Sequence, residues 1–166
     1  MSLSQPMSAG LLSTGRRCLA IALSLVMGVA CGDDNPVSPE RAALDAAQAR
    51  WTSVRPAANS YAMEQRVSCF CPTRGTSFDL TIQAGAVLRA RNLGTGNDAP
   101  VDLLSMFRSV DQLFAEVREA LARPGTLTKV EYDAQSGYPS TVSLDPIKQA
   151  IDDEVTYFTR SVILPS

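Results

Sequence analysis

The chain has 166 residues, with 17 acidic and 15 basic side chains, four cysteines and no histidine. The missing histidine excludes Ser-His-Asp and Cys-His nucleophile–base pairs and every histidine-liganded zinc site, leaving carboxylate chemistry and thiol redox chemistry. No basic stripe is present, which argues against nucleic acid as a partner; no residue set reads as catalytic, and no cofactor is implied.

Arg16 and Arg17 precede an apolar run from Cys18 to Ala30. As a helix this run would rise about 20 Å, against a hydrocarbon core of about 30 Å, so export fits better than a membrane span. Gly28-Val29-Ala30-Cys31 resembles the lipobox of bacterial lipoproteins, with Gly28 where that motif usually carries leucine. An ordinary signal peptide with a small-residue cut is the alternative. On the lipoprotein reading, residues 1–30 are a signal peptide and Cys31 becomes the acylated N-terminus. Two or more acyl chains give stable attachment where one is marginal. The partner is then the membrane, reached through the lipid on Cys31, and the location is the bacterial cell envelope, on its periplasmic face or at the cell surface. Residues 31–38, polar and proline-containing, read as a tether, and 39–166 as a single domain. All 17 acidic residues but only 13 of the basic ones lie beyond Cys31, so the mature chain would carry a net charge of −4.

Ser38 and Pro39 suit the N-cap and first position of a helix, and Arg55-Pro56 suits its end. Leu44, Ala47, Trp51 and Val54 fall on one face of that helix, with Trp51 as a core anchor. Residues 60–71 alternate, placing Tyr61, Met63, Val67, Cys69 and Cys71 on the apolar face of a strand. Phe78, Leu80 and Ile82 mark a second strand, Gly85 a turn, and residues 86–93 a third strand. After a loop at 94–100, Ser109 and Gln112 form a capping box for a helix with a stripe of Val110, Leu113, Phe114, Val117 and Leu121. Pro124-Gly125 ends it, residues 127–133 and 139–145 form a hairpin, and Val155 to Leu164 a last strand. The expected fold class is α+β: a mostly antiparallel sheet of about six strands with two helices packed on one face, in the order α-β-β-β-α-β-β-β.

Two constellations carry candidate chemistry. Cys69 and Cys71, followed by Pro72, are open to several readings: a local disulfide, buried free thiols, a redox centre, or half of a soft-metal site completed by Met63 or a second chain. On a regular strand their side chains would stand too far apart to bond, so a bridge requires the chain to bend there. Asp152, Asp153 and Glu154, with Asp145 nearby, are weak candidates for a divalent-cation site; their spacing matches no known cation loop, and a solvated or arginine-paired run is the plainer reading. Gly137 in Tyr132-Asp133-Ala134-Gln135-Ser136-Gly137-Tyr138-Pro139 is suited to a turn, with Tyr132 and Tyr138 as candidate groove-lining side chains.

The ordered set of Cys-x-Cys-Pro, Tyr-Asp-x-x-x-Gly-Tyr-Pro and Asp-Asp-Glu, running from about Trp51 to Phe158, resembles an uncharacterised family of bacterial lipoproteins defined only as a domain of unknown function. The resemblance implies an exported, often lipid-anchored α+β domain and no particular activity. Two functional classes stand: a lipid-anchored envelope domain with a binding or structural role, and a small envelope thiol-redox protein or enzyme using Cys69 and Cys71.

Overall fold

A computed structural model describes residues 38–147, 150 and 152–165. The signal, Cys31 and nearly all of the tether expected from the sequence lie outside the described residues. Among the described residues, no helix is long and apolar enough to cross a membrane.

Helix α1 spans Pro39–Val54. Ser38 caps it, its hydroxyl accepting from the Arg41 amide, and the extended Arg55 before Pro56 ends it. Leu44, Ala47 and Trp51 are buried as expected, but Val54 in the last turn is exposed. Six strands follow: β1 Tyr61–Ser68, β2 Ser77–Gln83, β3 Ala86–Asn92, β4 Leu127–Tyr132, β5 Pro139–Leu144 and β6 Val155–Ile163. They form one antiparallel sheet in the order β3-β2-β1-β6-β5-β4. Two three-stranded meanders, β1-β2-β3 and β4-β5-β6, thus join through their innermost strands, β1 and β6. Helix α2, Val110–Leu121, carries the expected capping box between Ser109 and Gln112 and lies against β5, β4 and α1.

Two expectations need correction. A third helix, a 3-10 turn at Val101–Met106, fills the stretch between β3 and α2 where only a loop and a cap were expected. No apolar periodicity announces so short an element, and none of its residues is buried. Strand β1 also ends at Ser68, three residues before the alternation does. Cys69 to Cys71 bend away and a turn follows over 72–75, with Gly75 at positive φ and its amide bonded back to the Val67 carbonyl. Alternation reports which face a side chain would take on a strand, not where the strand stops.

The buried face of the sheet and the buried faces of the helices share one core. Tyr61, Met63 and Val67 of β1 meet Phe78, Leu80 and Ile82 of β2 and Val110, Leu113, Phe114 and Val117 of α2 in it. Burying each of these large apolar side chains stabilises the fold by roughly 1.5–3 kcal/mol. The other face is polar and ordered by register: Glu64 stands between Asp79 and Arg160, Asp79 faces Arg91, and Arg66 lies over the Phe158 ring at 4.2 Å.

One polar group interrupts the core. Gln65, between Met63 and Val67 on the buried face, is 0% exposed. Its Nε2 donates to the Arg108 carbonyl at 3.0 Å and to Thr159 Oγ1 at 3.2 Å, and its Oε1 accepts from the Arg108 amide at 3.0 Å. Beside it, the Tyr61 hydroxyl accepts from the Val110 amide at 2.9 Å, satisfying an otherwise unpaired donor at the first turn of α2. Burial pushes the Tyr61 phenol up to about 12, so it stays neutral in this role. Asp111 extends the network to α1: its carboxylate accepts from Trp51 Nε1 at 3.1 Å and from Asn59 Nδ2 at 2.6 Å, with Arg55 at 3.5 Å.

Replacing Gln65 by methionine keeps the volume but strands the Arg108 amide and carbonyl, each costing about 1–3 kcal/mol when left buried and unpaired. Gln65→Met is expected to lower unfolding stability by about 3 kcal/mol in urea denaturation, although it makes the core more apolar. An unchanged or raised midpoint would contradict the assignment.

Candidate functional site

The register of the two central strands assembles the candidate site. Strands β1 and β6 run antiparallel, with Ser68 opposite Thr156. The C-terminal end of β1 therefore meets the N-terminal end of β6. Cys69 and Cys71, which follow β1, come beside Asp152, Asp153 and Glu154, which precede β6. The two constellations, about eighty residues apart in the chain, share one rim of the sheet.

Cys69 and Cys71 are at disulfide distance, their Cα atoms 5.2 Å apart. The bend after Ser68 supplies the geometry that a straight strand would deny. Both residues are half-buried: Cys69 packs on the edge of the core, and Cys71 Sγ lies 3.4 Å from the hydroxyl of the buried Thr73. The expectation that both sulfurs continue the apolar face of a strand is thus corrected. Phe70, between them, is 75% exposed and projects at the tip of the loop. Grooves open around it. One is lined by Ser68, Cys69, Phe70, Arg74, Asp152, Glu154 and Thr156. Another, of about 270 Å³, includes Cys69, Cys71, Met106, Arg108, Asp153 and Tyr157.

The loop is held by more than the bridge. The Arg74 amide donates to the Cys71 carbonyl, Gly75 to Val67, and Thr76 to Thr73, each at 3.1 Å. Closing a three-residue loop contributes only about 1–2 kcal/mol through chain entropy. The bridge is therefore one fastening among several.

The acidic run is divided. Asp153 Oδ2 accepts from the Ile147 amide at 2.7 Å, tying down the segment after β5. Asp152 and Glu154 face the groove, while the Asp145 amide donates to the Thr126 carbonyl, away from it. Among the described residues, no three carboxylate or thiol groups converge on a point that would hold an ion. Met63 is fully buried in the core and lines neither groove.

The Tyr132–Pro139 motif has a different task. Asp133 Oδ1 accepts from the amides of Gln135 and Ser136 and from the Ser136 hydroxyl, closing the β4–β5 turn. These bonds hold the Asp133 carboxyl below the usual range, the Ser136 hydroxyl contributing most. Gly137 adopts φ +81, and a Cβ there would stand 2.3 Å from the Ala47 carbonyl oxygen. The glycine thus lets the hairpin tip seat directly on the α1 backbone. Tyr132 stacks on Phe114 at 6.2 Å between ring centroids. The two tyrosines are half-buried, and neither lines the grooves around Phe70.

Sequence reasoning singled out the cysteines and the acids but not their meeting, because strand order is not written in local pattern. It also passed over Phe70. The available signal was an aromatic residue on the polar side of the alternation, between two cysteines.

A family of unknown function (DUF6174) matches residues 43–164, and the chain belongs to this family. No curated protein and no solved structure matches it.

Two outcomes follow from this geometry. The double variant Cys69→Ala/Cys71→Ala is expected to fold and to lose no more than about 2 kcal/mol in urea denaturation; collapse of the fold would show that the bridge holds the sheet end together. Asp133, with its folded pKa depressed, contributes stability that is present above its unfolded value of about 4 and is lost as pH falls through the folded value. The stability gap between wild type and Asp133→Ala should therefore be open at pH 7 and narrow on acidification below pH 4, and a gap independent of pH would contradict the role given to the carboxylate.

Proposed function

We propose that this member of the family is an exported, lipid-anchored binding module of the bacterial cell envelope. Cys31 carries the acyl chains, residues 31–38 tether the domain, and the rim around Phe70 meets the partner. Both helices are taken to cover the buried face of the sheet, leaving its polar face and this rim open. The observation that carries the reading is Phe70 itself. A large aromatic side chain is held out of the core by a short bridged loop, above grooves containing Arg74, Asp152 and Glu154. An exposed aromatic side chain on a restrained loop presents apolar area at low entropic cost, with charged neighbours to set specificity.

The second reading, a thiol-redox protein using Cys69 and Cys71, draws on one observation. The pair is half-buried and opens onto the grooves instead of being sealed in the core.

Site-specific photocrosslinking in the native envelope tests the first reading. A photoreactive residue at position 70 is expected to give a discrete adduct, whereas one at Leu88, an equally apolar exposed position on the edge strand β3, gives none. Cys31→Ser should abolish labelling by palmitate analogues and release the protein from the membrane fraction. Equal crosslinking at both positions, or a Cys31→Ser variant that partitions like wild type, would contradict the corresponding half of the proposal.

A further inference from the structure

We propose that the Cys69–Cys71 bridge is an exchangeable disulfide with a fixed polarity, attacked at Cys69 and releasing Cys71, and that its substrate is a dithiol on a polypeptide. The inference rests on the thiol-redox reading and gives it a direction.

The two sulfurs have unlike surroundings. Cys71 Sγ sits 3.4 Å from the hydroxyl of Thr73, a residue only 2% exposed. A thiolate only accepts hydrogen bonds, so on release of Cys71 this hydroxyl becomes its donor, shielded from water and already in position. Arg74 lines the grooves of both cysteines, and the one it shares with Cys71 holds no carboxylate. Cys69 lines both grooves that contain Asp152 and Glu154 and Cys71 only one of them, so their negative charges oppose a thiolate more at Cys69. Exchange is faster when the leaving sulfur is the better-stabilised thiolate. The bond should therefore break with its electron pair on Cys71.

The turn is built to survive the break. The amide bonds of Arg74, Gly75 and Thr76 do not involve the sulfurs, and Thr73 is buried. Opening the bridge thus changes two side chains and leaves the rim in place. Phe70 stands between the sulfurs, where it would grip an apolar residue beside the incoming cysteine.

The reaction balances as a two-electron exchange. A thiolate of the partner attacks Cys69 Sγ, the Cys69–Cys71 bond breaks, and Cys71 leaves as a thiolate that takes up a proton. The partner's second thiol loses its proton and attacks the mixed disulfide at the partner's own sulfur. Cys69 leaves and is protonated. The partner dithiol is oxidised to a disulfide, and the bridge is reduced to two thiols.

The direction is tested on the purified full chain with the bridge oxidised, using glutathione as a monothiol probe. Reaction for seconds, an acid quench, maleimide capping and fragment mass spectrometry locate the glutathione. The expected result is glutathione on Cys69 and maleimide on Cys71, in about tenfold excess over the reverse, since rates follow the stability of the leaving thiolate. Thr73→Val should bring the ratio towards one, and Thr73→Ser, which keeps the hydroxyl, should preserve it. An even or reversed ratio, or one that Thr73→Val leaves unchanged, would overturn the polarity while leaving exchange itself standing. Adducts that form only after unfolding in urea would overturn the thiol-redox reading as a whole.

Discussion

A buried amide in the middle of a central strand must find partners, and Gln65 finds them in the backbone of Arg108. Most of the architecture depends on that requirement. The segment entering α2 has to cross β1 where Gln65 reaches it, so the start of the helix is fixed to the sheet by directional bonds as well as by apolar contact. Tyr61, four residues away on the same face, takes the first orphan amide of α2. Asp111, one residue further along the helix, then fixes Trp51 and with it α1. Apolar burial supplies most of the driving force but tolerates sliding. The polar contacts select one register, because a displaced helix would leave Gln65, Arg108 and Val110 unpaired in a medium where each unpaired group is costly.

That frame explains why the candidate site needs no large cavity. The grooves lie at the joined ends of β1 and β6, the two central strands of the sheet. The rim inherits rigidity from the middle of the sheet, and the bridged loop adds little to it. At the opposite corner, Gly137 seats the β4–β5 hairpin on α1. The motif around Gly137 is accounted for by packing and turn closure, whereas Phe70 and the sulfurs beside it are not required by either. The distinction separates the motifs of this chain that build the domain from those that are free to act.

Much of this was legible in the residues. Ser38-Pro39 and Arg55-Pro56 bracket α1, the Ser109–Gln112 box opens α2, alternation marks β1 and β2, and turn residues place β3, β4 and β5, because caps, turns and periodicity are local signals. What escaped was non-local or exceptional. Gln65 occupies an apolar position of the β1 alternation, and its polarity hid it from a reading that looked for apolar residues. The 3-10 turn at Val101–Met106 is too short for periodicity. The end of β1 at Ser68 depends on the Gly75-to-Val67 bond of the following turn, which no count of polar and apolar residues reveals. The meeting of Cys69 with Asp152 follows from the pairing of β1 with β6, the longest-range link between the two meanders.

The central claim is that the Gln65 network, and not the Cys69–Cys71 bridge, holds the domain together. Amide hydrogen exchange on the oxidised and the reduced protein tests it most directly. The account predicts that the Arg108 and Val110 amides keep the same strong protection in both states, with any change confined to the turn after Cys71. Loss of protection at Arg108 and Val110 on reduction would show that the bridge carries the fold.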